Sequence, residues 1–251
     1  MIDLDRKVKD MGYSFVIIGL ITLLSAFIQG CTGFGFSIIA MTLMPLAMPL
    51  KYAAAVTAIS SFFMVASFAF NLRRQINFKL MLYPLISSTI TSLAGVAVMM
   101  SSPDGFMQRI LGLILILLSI YFIFFNQKIR VRQTPVNGLI IGSVSGILSG
   151  LFNMGGPPMV IYFLSTTDNK MEYNATLQCY FALNGSLVLI LHLLMGNFNV
   201  QIAQYCGVSL IGIVLGAFIG FKLFKRITFP VIRKVVYGLM AVFGFYLLIS
   251  G

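Results

Sequence analysis

The chain has 251 residues, of which 59% are hydrophobic and only 9% charged, and its mean hydropathy is +0.99. A soluble domain carries about 25% charged residues, so a soluble fold is excluded, and the apolar runs are too long for the strands of a membrane barrel. The net charge of +11 comes from Lys and Arg in short loops between apolar runs, where basic residues report orientation in a bilayer and give no support to nucleic-acid binding.

The polar stretch Met1–Asp10 mixes Asp3, Asp5 and Asp10 with Arg6, Lys7 and Lys9. No small-residue cleavage site follows it, so residues 14–29 read as a first membrane segment and not as a removed signal peptide. That segment leads into a glycine cluster, Gly30-Cys31-Thr32-Gly33-Phe34-Gly35, and residues 34–50 lead out of it. Apolar segments 53–70, 80–100 and 106–125 follow. Segment 136–151 then enters a second cluster, Gly150-Leu151-Phe152-Asn153-Met154-Gly155-Gly156-Pro157, and 156–165 leaves it. Segments 174–195, 202–221 and 229–250 complete the chain, which reads as a single membrane domain over 1–251 with no soluble domain.

The two halves, about 12–126 and 135–251, read as a repeat. Ser25, Gly30 and Gly35 match Ser145, Gly150 and Gly155 at an offset of 120. Gly95 matches Gly216 at 121, and Asn77 and Tyr83 match Asn199 and Tyr205 at 122. The drift of two is what loop insertions produce.

Each arm beside the first cluster is about 16 residues, short for a full span. If each cluster is the tip of a re-entrant or short broken-helix hairpin, the chain returns to its starting side and three full crossings follow in each half. Of the 17 basic residues, 12 then share one side: Arg73, Arg74, Lys79, Lys128, Arg130, Arg132, Lys170, Lys222, Lys225, Arg226, Arg233 and Lys234. Arg6, Lys7, Lys9, Lys51 and Arg109 take the other. A single kinked crossing in each half would divide them nine against eight, with no positive-inside bias. The expected fold is therefore an all-α polytopic membrane protein with two inverted repeats, each a broken hairpin plus three transmembrane helices. Both termini are then non-cytoplasmic. Paired breaks at matching positions of two halves point to a transporter's binding site.

A glycine cluster followed by a new helix start presents N–H groups without intrahelical partners, and the helix dipole adds partial positive charge. Together these bind anions without a charged side chain. Glycine lets the backbone approach a ligand closely, and Pro157 suits a first helical turn. The candidate binding residues are Gly30, Cys31, Thr32, Gly33, Phe34, Gly35 and Ser37 from the first cluster, and Asn153, Met154, Gly155, Gly156 and Pro157 from the second. Cys31, Thr32, Ser37 and Asn153 would add neutral donors. Gln178 and Asn184 lie within a span and Gln29 abuts the first cluster; such amides either bond neighbouring helices or line the pathway. Gly142, Gly146 and Gly150, at four-residue spacing, read as close helix packing. Asp104, Asp168 and Glu172 all fall in loops, so no span carries the carboxylate that a proton or sodium relay uses, which fits an anion as guest. His192 reads as a hydrogen-bonded packing residue, and Cys31, Cys179 and Cys206 as buried small hydrophobes, with no CxxC pair, metal site or organic cofactor indicated.

With its glycine-rich cluster Gly33-Phe34-Gly35 followed by Pro45, and the second-half counterpart Gly155-Gly156-Pro157, the chain resembles the TauE/SafE sulfite exporter family over essentially its whole length. The resemblance implies a transporter and not an enzyme, moving sulfur-containing anions such as sulfite, organosulfonates or thiosulfate across the bacterial inner membrane. The expected partners are a small anion and the lipid bilayer, with a homodimer left open. Three rival readings stand beside it: a transporter of the same fold for another small solute, an intramembrane thiol-redox protein using Cys31 with Cys179 or Cys206, and a non-transporting assembly subunit, for which duplicated broken spans would have no evident use.

Overall fold

The computed structural model describes residues 2–124, 131–167, 169–196, 199–223 and 229–251; within these, the side chains of 2–13, 31, 32, 221–223 and 229–235 lie outside the description. Among the described residues all regular structure is helical. The helices are α1 (Ile2–Thr32), α2 (Phe36–Leu43, continued by a 3-10 turn over Met44–Leu46), α3 (Leu50–Asn71), α4 (Phe78–Ser101), α5 (Asp104–Phe124), α6 (Pro135–Phe152), α7 (Gly156–Thr166), α8 (Lys170–Leu194), α9 (Val200–Leu223) and α10 (Phe229–Ser250). Six of them, α3, α4, α5, α6, α8 and α9, are long and apolar enough to cross a membrane. The protein is a multi-pass membrane protein.

Both glycine clusters break the helix, but the arms are unequal. The first break joins the 31-residue α1 to an α2 of eight residues, which Pro45 and Pro49 prevent from continuing as α-helix. The second joins 18 residues of α6 to 11 of α7. At 1.5 Å per residue the second arms are only about 12–17 Å long, too short to span. Asp104 and Glu172, both expected in loops, instead sit in the first turns of α5 and α8, and Asn169 Oδ1 accepts the Glu172 backbone N–H. Asp168 and the loops carrying Lys128, Arg130, Lys225 and Arg226 lie outside the described residues.

Helices from the two halves pair reciprocally: α4 lies on α6 and α1 on α9, α3 on α8, α5 on α10. Small residues permit the first two pairings. A Cβ on Gly95 would come within 2.9 Å of Ile147 O and 3.0 Å of Gly150 Cα, and Gly142 and Gly146 press on Pro84 and Ser88 in the same way. Across the other pair Gly212, Gly216 and Gly220 of α9 meet Gly19, Leu23 and Phe27 of α1 in rising order, so these helices run parallel. In lipid, where water supplies no drive between helices, such close approach is what holds spans together. Ser92 Oγ adds a bond to Gly146 O at 3.0 Å.

The helix ends sort into two groups. At one end of the bundle Lys51 Nζ donates to Met100 O (3.0 Å), Asn199 Nδ2 to Tyr52 Oη (3.5 Å), and Gly105 lies against Gly251. At the other, Asn77 Nδ2 donates to Glu172 Oε1 (2.7 Å) and Asn77 N–H to Thr176 Oγ1 (2.9 Å). Asn77 and Asn199 cap α4 and α9 through Oδ1, and each spends its amide nitrogen on the opposite half of the chain.

Candidate functional site

The first break begins where Gly33 turns left-handed (φ 81°) while its N–H still donates to Gln29 O at 2.8 Å. Gly35 is left-handed again (φ 111°), a conformation open to glycine because no Cβ intervenes. A broken helix in lipid has to satisfy the backbone groups it frees from within the protein. Two glutamines do so. Gln29 Oε1 accepts the Phe36 N–H (2.9 Å), and Gln178 Nε2, reaching across from α8, donates to Gly33 O (2.7 Å) and to Asn174 Oδ1 (3.2 Å).

The second break uses different parts. Asn153 is left-handed (φ 56°) and ends α6, its N–H still bonded to Ser149 O at 2.8 Å. Its side-chain Nδ2 donates to Ala54 O in α3 (2.9 Å). Ser145 Oγ donates to Gly155 O (2.6 Å) and is itself held by the Tyr180 hydroxyl (3.0 Å). Gly155 is packed against α6 so closely that a Cβ would lie 2.7 Å from Ser145 O. α7 then opens Gly156-Pro157-Pro158. Two successive prolines lack an N–H, so this helix start offers fewer donors than the four unpaired groups of an ordinary first turn. The start of α2, with no proline in its first turn, carries more of them.

The two breaks come together: a Cβ on Gly156 would lie 4.0 Å from Phe34 Cδ2. Between them is a cavity of about 50 Å³, ample for one or two waters or a small polyatomic ion by the usual measure of roughly 10–15 Å³ per enclosed water. Its walls include Phe34, Gly35, Ser37 and Gln29 from the first break and Asn153, Met154, Gly155 and Gly156 from the second. Among the described residues no charged side chain lines it.

Of the other expected residues, Asn184 lines the cavity from α8, with Oδ1 accepting the Ser92 hydroxyl (3.1 Å). Gln178 stands behind the first break as its brace. Pro157 is buried in the first turn of α7. Gly30 is still helical and faces α9, with Ala217 O 3.5 Å from where its Cβ would stand. Gly33 turns the chain without lining the cavity. The side chains of Cys31 and Thr32 lie outside the described residues. The mid-helix positions Ser61 and Val65 of α3, and Phe181, Gly185 and Val188 of α8, also line the cavity. No pattern in the sequence marked them, because each is one ordinary residue on the inner face of a long span. Ser149 of α6 and Ile38 of α2 likewise join the lining.

Cys179 and Cys206 are buried without a disulfide and belong to separate apolar clusters, one around α7 and α8, the other around α1 and α9. His192 is buried on α8 away from the cavity. No curated protein and no solved structure matches the chain. The family model described as sulfite exporter TauE/SafE matches residues 18–247, both breaks and all the cavity walls included, and the protein belongs to that family of membrane transporters for sulfur anions.

Proposed function

We propose that the protein exports a small sulfur oxyanion, such as sulfite, an organosulfonate or thiosulfate, by alternating access, with the anion held between the two helix breaks. The observation that carries this reading is the cavity itself: both breaks wall it, internal side chains brace the freed backbone, and the lining has polar groups but no charged ones. Helix starts and neutral donors favour an anion, and a carboxylate there would repel it. Outward movement follows the inside-negative potential, which expels an anion at about 2.3 kcal/mol per charge per 100 mV.

The reading includes two inverted halves, about 12–126 and 135–251, rocking about the site, in a bacterial inner membrane with both termini outside the cytoplasm. The reciprocal helix pairs support the inversion, because exchanging α1–α5 with α6–α10 maps α4 on α6 onto α9 on α1. The grouping of helix ends supports the hairpins. A single kinked crossing in each half would put Tyr52 and Asn199 at opposite ends of the bundle, whereas they touch.

Reconstituted in vesicles, the wild type should carry sulfite or an alkylsulfonate, while Gly35→Leu and Gly155→Leu should insert normally and carry none. Wild-type flux through either variant removes that break from the mechanism. Thermal shifts against a panel of small sulfur anions identify the guest, since a ligand stabilises as RT ln(1 + [L]/Kd).

A further inference from the structure

Gln29 occupies the last turn of α1, is 4% exposed and lines the cavity. Its Oε1 accepts the Phe36 N–H at 2.9 Å. A peptide N–H can only donate, so this bond fixes which end of the amide is oxygen. The other end, Nε2, is buried and has no hydrogen-bond partner among the described residues. Buried amide nitrogens in native proteins have acceptors, and one without is a place where something else supplies it. Two of the other donors on the same walls are already engaged: Asn153 Nδ2 by Ala54 O (2.9 Å) and Ser61 Oγ by Ala58 O (3.2 Å).

We infer that Gln29 Nε2 is a side-chain donor to the transported anion, a step that rests on the anion-site reading above. The ligand it takes is a small oxyanion presenting an unprotonated oxygen, the class to which sulfite and alkylsulfonates belong. Gln29 then stands in series between guest and α2. Its amide accepts from the helix start on one side and donates to the anion on the other, so the positive end of α2 acts on the guest through one polarised group. A cationic guest needs an acceptor, which this amide nitrogen cannot supply.

Gln29→Glu separates this role from a structural one. The carboxylate keeps an oxygen against the Phe36 N–H but replaces the donor with an acceptor. Purified full-length Gln29→Glu should unfold near the wild-type temperature and bind sulfite and methanesulfonate about ten- to a hundredfold more weakly at neutral pH, the cost of losing one hydrogen bond to a charged partner. Methanesulfonate keeps its charge in acid, so its affinity for this variant should recover as pH falls and the carboxyl becomes a donor again. Relief of carboxylate–anion repulsion on protonation would give the same recovery, so the uncharged Gln29→Met is the variant that separates a lost donor from an added charge. Gln29→Met, which has no donor at any pH, should bind weakly throughout and serves if the glutamate variant fails to fold. Wild-type affinity in either variant overturns the role of Gln29 and leaves the anion site standing. If wild-type protein binds neither probe, the anion-site reading falls and this inference with it.

Discussion

Asn153 is the one non-glycine residue with positive φ among those described, and it does two things there. Its short polar side chain tolerates the left-handed region better than other side chains, and its amide ties the break to Ala54 O of α3. Asn153→Ala loses both and should cost about 1–3 kcal/mol in detergent. Asn153→Gly loses only the tie and should unfold at a temperature between alanine and wild type. Equal losses in the two would mean that the backbone conformation costs nothing. The second proline-rich helix start carries a related lesson at the same scale: Pro157 was expected to suit the first turn, and it does, yet with Pro158 it also removes the N–H groups that make a helix start attractive to anions. The donors are thereby weighted towards the first break.

Between elements, glycine has two separate uses. Gly150 of α6 lies on α4, where an added Cβ would stand 2.9 Å from both Gly95 Cα and Val96 N. Neither backbone atom can yield without moving a helix, so Gly150→Ala should cost about 1–3 kcal/mol. Gly30, its counterpart 120 residues earlier, has its nearest neighbour at an ordinary 3.5 Å. Gly30→Ala should be neutral or stabilising by up to about 1 kcal/mol, because alanine is the better helix former. Thermal unfolding of the two variants side by side tests the contrast. The spacing of Gly142, Gly146 and Gly150 announced close packing in the sequence. That the α1–α9 pair carries its stripe on α9, and not on the counterpart of α6, follows only from which helices face each other.

For the molecule as a whole, the two capping asparagines mark where the halves are fastened at either end. Asn77 donates to the Glu172 carboxylate at 2.7 Å, while its counterpart Asn199 reaches only the Tyr52 hydroxyl at 3.5 Å. A hydrogen bond to a charged acceptor contributes about 1.5–3 kcal/mol, more than one to a neutral group, so the Asn77 end is the more firmly closed. Glu172→Ala should lower thermal stability by that order; an unchanged unfolding temperature would mean that this contact does not hold the end shut. Topology is checked in intact cells with an impermeant thiol reagent. Cysteine at Ser102 should react from outside and cysteine at Arg132 should not, and the reverse pattern would invert the proposed orientation.

The sequence by itself determined the class of protein, the positions of both helix breaks and most span boundaries to within a few residues. These follow from hydropathy, glycine and short-range hydrogen bonding, which act within one or two turns. The tertiary structure alone decided how the breaks are made stable and what surrounds the cavity. Gln178 braces Gly33 from 145 residues away, and Ser61 and Gly185 become walls through the packing of α3 and α8. No local pattern encodes such a partner, because in a membrane the freed backbone is satisfied by whichever side chain the helix packing brings near. The same packing showed Gln29 to be half committed, its oxygen to α2 and its nitrogen to no group among the described residues.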